Sequence, residues 1–136
     1  MKILLAEYAV GAGLGGTYLL EGKCMLENIA HSFTRLGHEV IYPSYGTTIS
    51  SGLPVESSED NFEYTTEKLA KKCDAGLIIA PDDILSGLTA IIEDNTNNLG
   101  CPPVAIDNCV DKVKCSEILS KSDIPTPEIT REIKNG

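Results

Sequence analysis

No run of apolar residues in this chain approaches the ~18 needed to cross a bilayer, so a membrane span is not expected. The first apolar run, Lys2-Ile3-Leu4-Leu5-Ala6, stops at Glu7, as a strand does, and leaves no secretion pattern at the N-terminus. Basic residues are scarce: 11 Lys and Arg stand against 20 Asp and Glu, a net charge of −9. That deficit argues against nucleic acid or an anionic membrane surface as partner, since both are bound through Lys and Arg. C-x-x-C spacing is absent as well. The five cysteines (Cys24, Cys73, Cys101, Cys109 and Cys115) are odd in number and irregularly spaced, which points to free thiols in a reducing cytoplasm and away from zinc. At 136 residues the chain is long enough for one substantial core.

What is present is concentrated in the first 37 residues. The apolar run ends at Glu7-Tyr8 and enters a glycine-rich stretch, Gly11-Ala12-Gly13-Leu14-Gly15-Gly16. Met25, Ile29, Phe33 and Leu36 then recur at helical spacing, and Gly37 supplies the stop. Strand, glycine turn and helix in that order open a parallel α/β fold, and the turn lies where such folds bind ligands. Glycine lets backbone approach a ligand closely, and a helix N-terminus offers free N–H groups. The same glycines also serve simple helix–strand packing. Gly11, Gly13 and Gly16 match the G-x-G-x-x-G spelling of a dinucleotide site, but the second strand, Glu39-Val40-Ile41-Tyr42, runs into Pro43 without the acidic residue that would hold a ribose. Glu7 and Glu21 flank the turn and would repel a pyrophosphate, so a zwitterion or an amine suits it better.

Residues 43–61 are rich in Ser, Gly and Thr and lack periodicity, and read as a mobile flap or a disordered insertion. A helix is expected over about Phe62–Cys73, and the continuous apolar run Ala75–Ala80 reads as a strand buried on both faces. That strand ends at Pro81-Asp82-Asp83; one aspartate is expected to cap the next helix, about Ile84–Asp94, leaving the other to face a ligand. Asn95–Asn98 with Gly100 reads as a turn, Val104–Ile106 as a short strand, and Cys109–Ser122 as a helix capped by Asp107 or Asn108. Alternating prolines make Ile124–Glu128 extended. The last eight residues hold two apolar side chains, Ile129 and Ile133, and the chain reads as cut short.

Asp111-Lys112 opening a helix, Leu119, and then Ser122-Asp123-Ile124-Pro125-Thr126-Pro127 resemble the entry to the nucleotide-binding region of ATP-grasp enzymes. Glu7-Tyr8 before the glycines, Glu21-Gly22-Lys23, Met25-Leu26 and Gly37-His38-Glu39-Val40 resemble more narrowly the archaeal tyramine–L-glutamate ligases of methanofuran biosynthesis. The resemblance covers nearly the whole chain but only the N-terminal part of the family. It implies a three-layer, Rossmann-like, mostly parallel pre-ATP-grasp domain over residues 1–108, followed over 109–136 by a linking helix and the start of an ATP-grasp domain.

Relatives use ATP and Mg2+ to activate a carboxylate as an acyl phosphate, which an amine then attacks. By resemblance, Lys112 contacts the nucleotide phosphates, while Glu7, Gly11, Gly13, Gly15, Gly16, Glu21 and Asp82 are the candidates for the small amine or amino-acid substrate. For Lys112 the plain alternative is a solvated lysine in a first helical turn, mildly unfavourable against the dipole. The family's magnesium ligands lie beyond Gly136, so this chain is expected to act with the remainder of an ATP-grasp enzyme, to bind ATP weakly and to catalyse nothing alone; a homodimer is left open. Two rivals of other classes are a receiver-type signalling domain, which needs carboxylates clustered beside the first strand, and a dinucleotide-binding module.

Overall fold

A computed structural model describes residues 1–127. Five strands form one sheet: β1 (Lys2–Glu7), β2 (Glu39–Ser44), β3 (Leu53–Glu56), β4 (Ala75–Ile79) and β5 (Asn97–Asn98). Their order is β3-β2-β1-β4-β5, and every pairing is parallel. β1 lies at the centre because it can be buried on both sides. Ile3 and Leu5 point to one face, where α2 (Gly16–Arg35) lays Leu26 and Ala30. Leu4 and Ala6 point to the other, where α3 (Phe62–Ala70) and α4 (Asp82–Asn95) bring Leu69, Ala70, Leu88 and Ile92. Helices on both faces of a parallel sheet make the three layers of an α/β fold.

Turn chemistry delimits the first half. Glu7 caps α1 (Tyr8–Ala12), its carboxylate accepting from Val10 N–H at 2.7 Å. Gly13 ends α1 at φ +80°, a left-handed conformation that costs glycine nothing. α2 stops as the sequence indicates: Gly37 is at φ +82°, its N–H donates to the Thr34 carbonyl at 2.9 Å, and His38 N–H donates to the Phe33 carbonyl at 3.1 Å. The apolar face of α2 is rotated from the expected one. Gly22, Leu26 and Ala30 are buried with Ile29 and Phe33 packed beside them, whereas Met25 and Leu36 are exposed. Gly22 makes the rotation possible by letting the helix sit directly on the end of β1.

The structure corrects the sequence reading at several places. Residues 43–61 are neither flap nor disorder: they extend β2 to Ser44, supply β3, and continue into a 3-10 turn at Glu59–Asn61. The turn before β3 is pinned from two sides, with Ile49 N–H donating to the Tyr42 hydroxyl at 3.1 Å and Ser50 N–H to the Glu27 carboxylate at 3.3 Å. The Ser50 hydroxyl and, after it, the Ser50 N–H hold the Glu27 carboxyl below its ordinary range. β3 escaped notice because it is a mostly exposed edge strand carrying Pro54, without an apolar alternation. Asn97 and Asn98, expected in a turn, pair with Ala75 and Gly76.

Neither Asp82 nor Asp83 caps α4. Pro81 stands at that position, and the two acids occupy the first turn, where the helix dipole favours them. Residues 104–106, expected as a strand, belong to helix α5 (Pro103–Val110). Pro102 at its N-cap and Pro103 in its first turn, with φ already fixed near the helical value, start it, and an apolar run of three is too short to separate strand from helix. α6 (Lys112–Lys121) is capped by Asp111, which accepts from Val113 N–H at 2.9 Å and Lys114 N–H at 3.1 Å, and not by Asp107 or Asn108. Residues 108 and 109, where the sequence suggests a division, both lie within α5. Ile124–Pro127 lies outside helix and sheet, and Glu128, Ile129 and Ile133 fall outside the described residues.

Candidate functional site

The chain leaves β1 towards β2 on one side of the sheet, builds β3 beyond it, and returns to place β4 on the other side of β1. The reversal falls between β1 and β4, whose carboxyl ends finish level, with Glu7 in register with Ile79. Connections diverge at such a switch point and leave a crevice, the usual ligand position in an open α/β sheet. A cavity of about 260 Å3 lies there. Glu7, Tyr8 and Ala9 enter it from the end of β1, and Ile79, Ala80 and Pro81 from the end of β4. Leu14 and the side chains of Tyr18, Glu21 and Met25, along the first turns of α2, close it.

Glu7 is the buried carboxylate of this set, at 4% exposure. Burial raises its carboxyl above the ordinary 4.5, while N–H bonds from Val10 and Ala9 pull the other way. Gly22 passes so closely that a Cβ there would lie 2.5 Å from the Glu7 Cδ. Helix α2 and α1 therefore clamp the Glu7 carboxyl in one position. Glu21, one helical position before that contact, is exposed at the cavity wall. Two carboxylates, no basic residue among the described residues, and apolar or aromatic walls favour a small ligand with one cationic group on an apolar body. The volume is small for a dinucleotide and the charge wrong for its pyrophosphate.

The glycines expected to face the ligand do not line this cavity. Gly11 lies inside α1 and faces the core, where a Cβ would come within 2.6 Å of Phe62 Cδ2. Gly13 turns the chain beside Tyr45; Gly15 caps α2 and Gly16 begins it at φ +63°, both in open space. They shape the turn, and the residues between and beyond them make the wall. Leu14, Tyr18 and Met25 were missed because Met25 reads as core in a helical pattern and Tyr18 carries no periodic signal.

Asp82 does not join Glu7 and Glu21. It lines a separate cavity of about 160 Å3 between α4 and the α5–α6 turn, with Leu85, Ile106, Cys109 and Lys112 among its walls. Lys112 is exposed, and its Nζ donates to the Cys109 carbonyl at 3.1 Å. A larger hollow of about 460 Å3 runs along α6 to Pro127, the end of the described residues. Among the described residues no group of three or more His, Cys, Asp or Glu is placed to hold a metal ion. A Mg2+ site does not fit the described residues. No described helix is long and apolar enough to cross a membrane.

Comparison with known proteins agrees with this architecture. Residues 44–106 match the pre ATP-grasp 3 domain family. A protein from Archaeoglobus fulgidus assigned to the ATP-grasp superfamily has a solved structure that superposes with a TM-score of 0.74 at 30% identity, over 89% of this chain and 40% of that one. N5-carboxyaminoimidazole ribonucleotide synthetase from Thermotoga maritima superposes with a TM-score of 0.60 at 19% identity, over 97% of this chain and 34% of that one, a likeness of fold. The chain thus spans well under half the length of either structure. No curated protein matches it.

Proposed function

We propose that this pre-ATP-grasp domain of an ATP-grasp superfamily protein carries the acceptor-amine site of a carboxylate–amine ligase. The finer reading is tyramine as amine and L-glutamate as acid, the step that belongs to methanofuran biosynthesis. The observation that supports it is the cavity at the β1–β4 switch point, where Glu7 and Glu21 face apolar and aromatic walls. A primary ammonium satisfies the carboxylates, and a flat apolar body covers Tyr8, Tyr18 and Met25. In this reading ATP and Mg2+ are held by the remainder of the enzyme, and Lys112 reaches the phosphates from the start of α6.

Titrating the chain with tyramine by calorimetry or chemical-shift mapping tests the reading. Binding in the millimolar range, about 4 kcal/mol, is expected. Glu7→Gln keeps the shape and removes the charge, and should weaken binding by about 1–3 kcal/mol. Absence of amine binding in the folded parent, or equal affinity in the variant, removes the cavity from the argument. Tighter binding of NADH than of any amine restores the dinucleotide reading.

A further inference from the structure

Gly11 stands inside α1, where alanine is the better helix former, so its place there calls for a packing reason. The ring of Phe62 supplies one. A Cβ on Gly11 would come within 2.6 Å of Phe62 Cδ2, and Pro43 Cβ closes the same space at 3.4 Å. Phe62 opens α3 and is 1% exposed. The turn before it is locked by reciprocal bonds between Ser58 and Asn61, with Ser58 N–H donating to Asn61 Oδ1 at 2.8 Å. Tyr8 precedes Gly11 by one helical turn, on the same side of α1. Its ring meets the Phe62 ring edge to face, with centroids 5.2 Å apart and planes at 84°. Tyr8 lines the cavity at the β1–β4 switch point, and Phe62 stands behind it, outside the wall. Tyr18, the other ring in that wall, is 70% exposed and has no ring packed against it among the described residues.

We infer that Phe62, seated on Gly11, is a positioning residue that holds the Tyr8 ring as a fixed wall of the Glu7 cavity. The site thereby prefers an ammonium on an aromatic body to one on a saturated body of the same size, a choice that rests on the amine-site reading. Glu7 and Glu21 attract any ammonium and do not sense what it is attached to. The body is read by the wall. A saturated ring and an aromatic ring of equal size bury comparable apolar area against Tyr8, so area separates them little. An aromatic ring gains in addition from offset or edge-to-face packing, which depends on the orientation of its partner ring. A Tyr8 ring free to swing would average that orientation away and would have to be ordered at each binding event. Phe62 orders it beforehand, because the Ser58–Asn61 turn and the bare face of Gly11 fix Phe62 in turn. Gly11 and Phe62 thus act on ligand choice from the core, through Tyr8.

The test compares phenethylamine with cyclohexylethylamine, two primary ammonium ions of like size, by chemical-shift titration of the folded chain and its variants. Wild type is expected to bind phenethylamine about 2–10-fold more tightly, the factor that one aromatic pair confers. Tyr8→Leu removes the wall itself and should abolish that preference. Phe62→Leu keeps the core apolar and the wall ring present, and should abolish most of it. Gly11→Ala keeps both rings but displaces Phe62, and should lower the preference as well. In the ligand-free protein the Tyr8 ring resonances should move in Phe62→Leu, through loss of the neighbouring ring current. Glu7→Gln should weaken both amines alike and leave their ratio as it was. Equal affinities in wild type, or a ratio that survives in Tyr8→Leu, Phe62→Leu or Gly11→Ala, overturn the inference and leave the amine-site reading standing. Wild type that binds neither amine removes that reading, and the inference with it.

Discussion

The sheet body and the α5–α6 pair are held by different means. In the body, Ile3, Leu4, Leu5 and Ala6 of β1 are all at or near zero exposure, and two apolar clusters sandwich them. In the helix pair Ile106 is buried in α5, while no residue of α6 is; Val110 and Ile118 remain 38% and 37% exposed. Burial fixes the first region, and a capping carboxylate with a short turn fixes the second. Glu7 therefore sits in a position that packing over-determines, clamped by α1 and Gly22. Lys112 sits at a joint. Fixed walls around Glu7 suit the amine-site reading, because selection of a small substrate needs a pocket that does not give.

The contrast is broken most directly by truncation on each side. Leu26→Ala removes a fully buried side chain between α2 and the sheet, and should cost about 2–5 kcal/mol in urea unfolding. Ile118→Ala on α6 should cost less than about 1 kcal/mol, since its side chain is already partly in water. Equal losses at the two sites refute the division into a packed body and a loosely held pair.

A smaller effect sharpens the claim that Glu7 is clamped. Gly22→Ala puts a methyl group against the Glu7 carboxyl, so α2 must lift or Glu7 must turn out. The net loss expected is about 1–3 kcal/mol, even though alanine favours a helix. Gly87→Ala on α4 is the matching control: nothing lies within 4 Å of the added carbon. There the helix preference should act alone, a gain of up to about 1 kcal/mol. Tolerance of Gly22→Ala at the level of Gly87→Ala means that Glu7 is free to move.

How much of this was legible in the sequence follows from the strength of each pattern. β1, α3 and β4 were readable because strong apolar runs and a basic helix end declare them. The three-layer parallel architecture follows from their alternation. β3 was not readable, since a four-residue edge strand with Pro54 buries too little to leave a pattern. α5 was misread because Val104-Ala105-Ile106 fits either periodicity, and the deciding signal was Pro102-Pro103 as a helix start. At the candidate site, Glu7 and Glu21 could be placed at one crevice from their positions around the first turn. Leu14, Tyr18 and Met25 could not, because which side of α2 faces the sheet depends on Gly22 fitting over Glu7, a contact visible in three dimensions alone.

The least of the expected effects is read as a slope with pH, and it asks which force governs Glu7. Burial raises its carboxyl above the ordinary 4.5, and the N–H bonds from Val10 and Ala9 oppose that. The unfolded chain has neither influence, so the folded protein holds the Glu7 proton more tightly. Stability from this linkage is full below the ordinary value and is lost as pH rises through the raised one. Among the described residues no basic side chain lines the cavity to oppose this. Glu7→Gln does not titrate. The stability difference between wild type and Glu7→Gln should therefore move against wild type as urea midpoints are followed from about pH 4 to about pH 7, while the distant carboxylates cancel in the comparison. A difference that stays level, or moves in favour of wild type, means that the two N–H bonds outweigh burial. Glu7 would then be a well-satisfied helix cap whose charge is already neutralised by backbone, with little attraction left for an ammonium in the cavity.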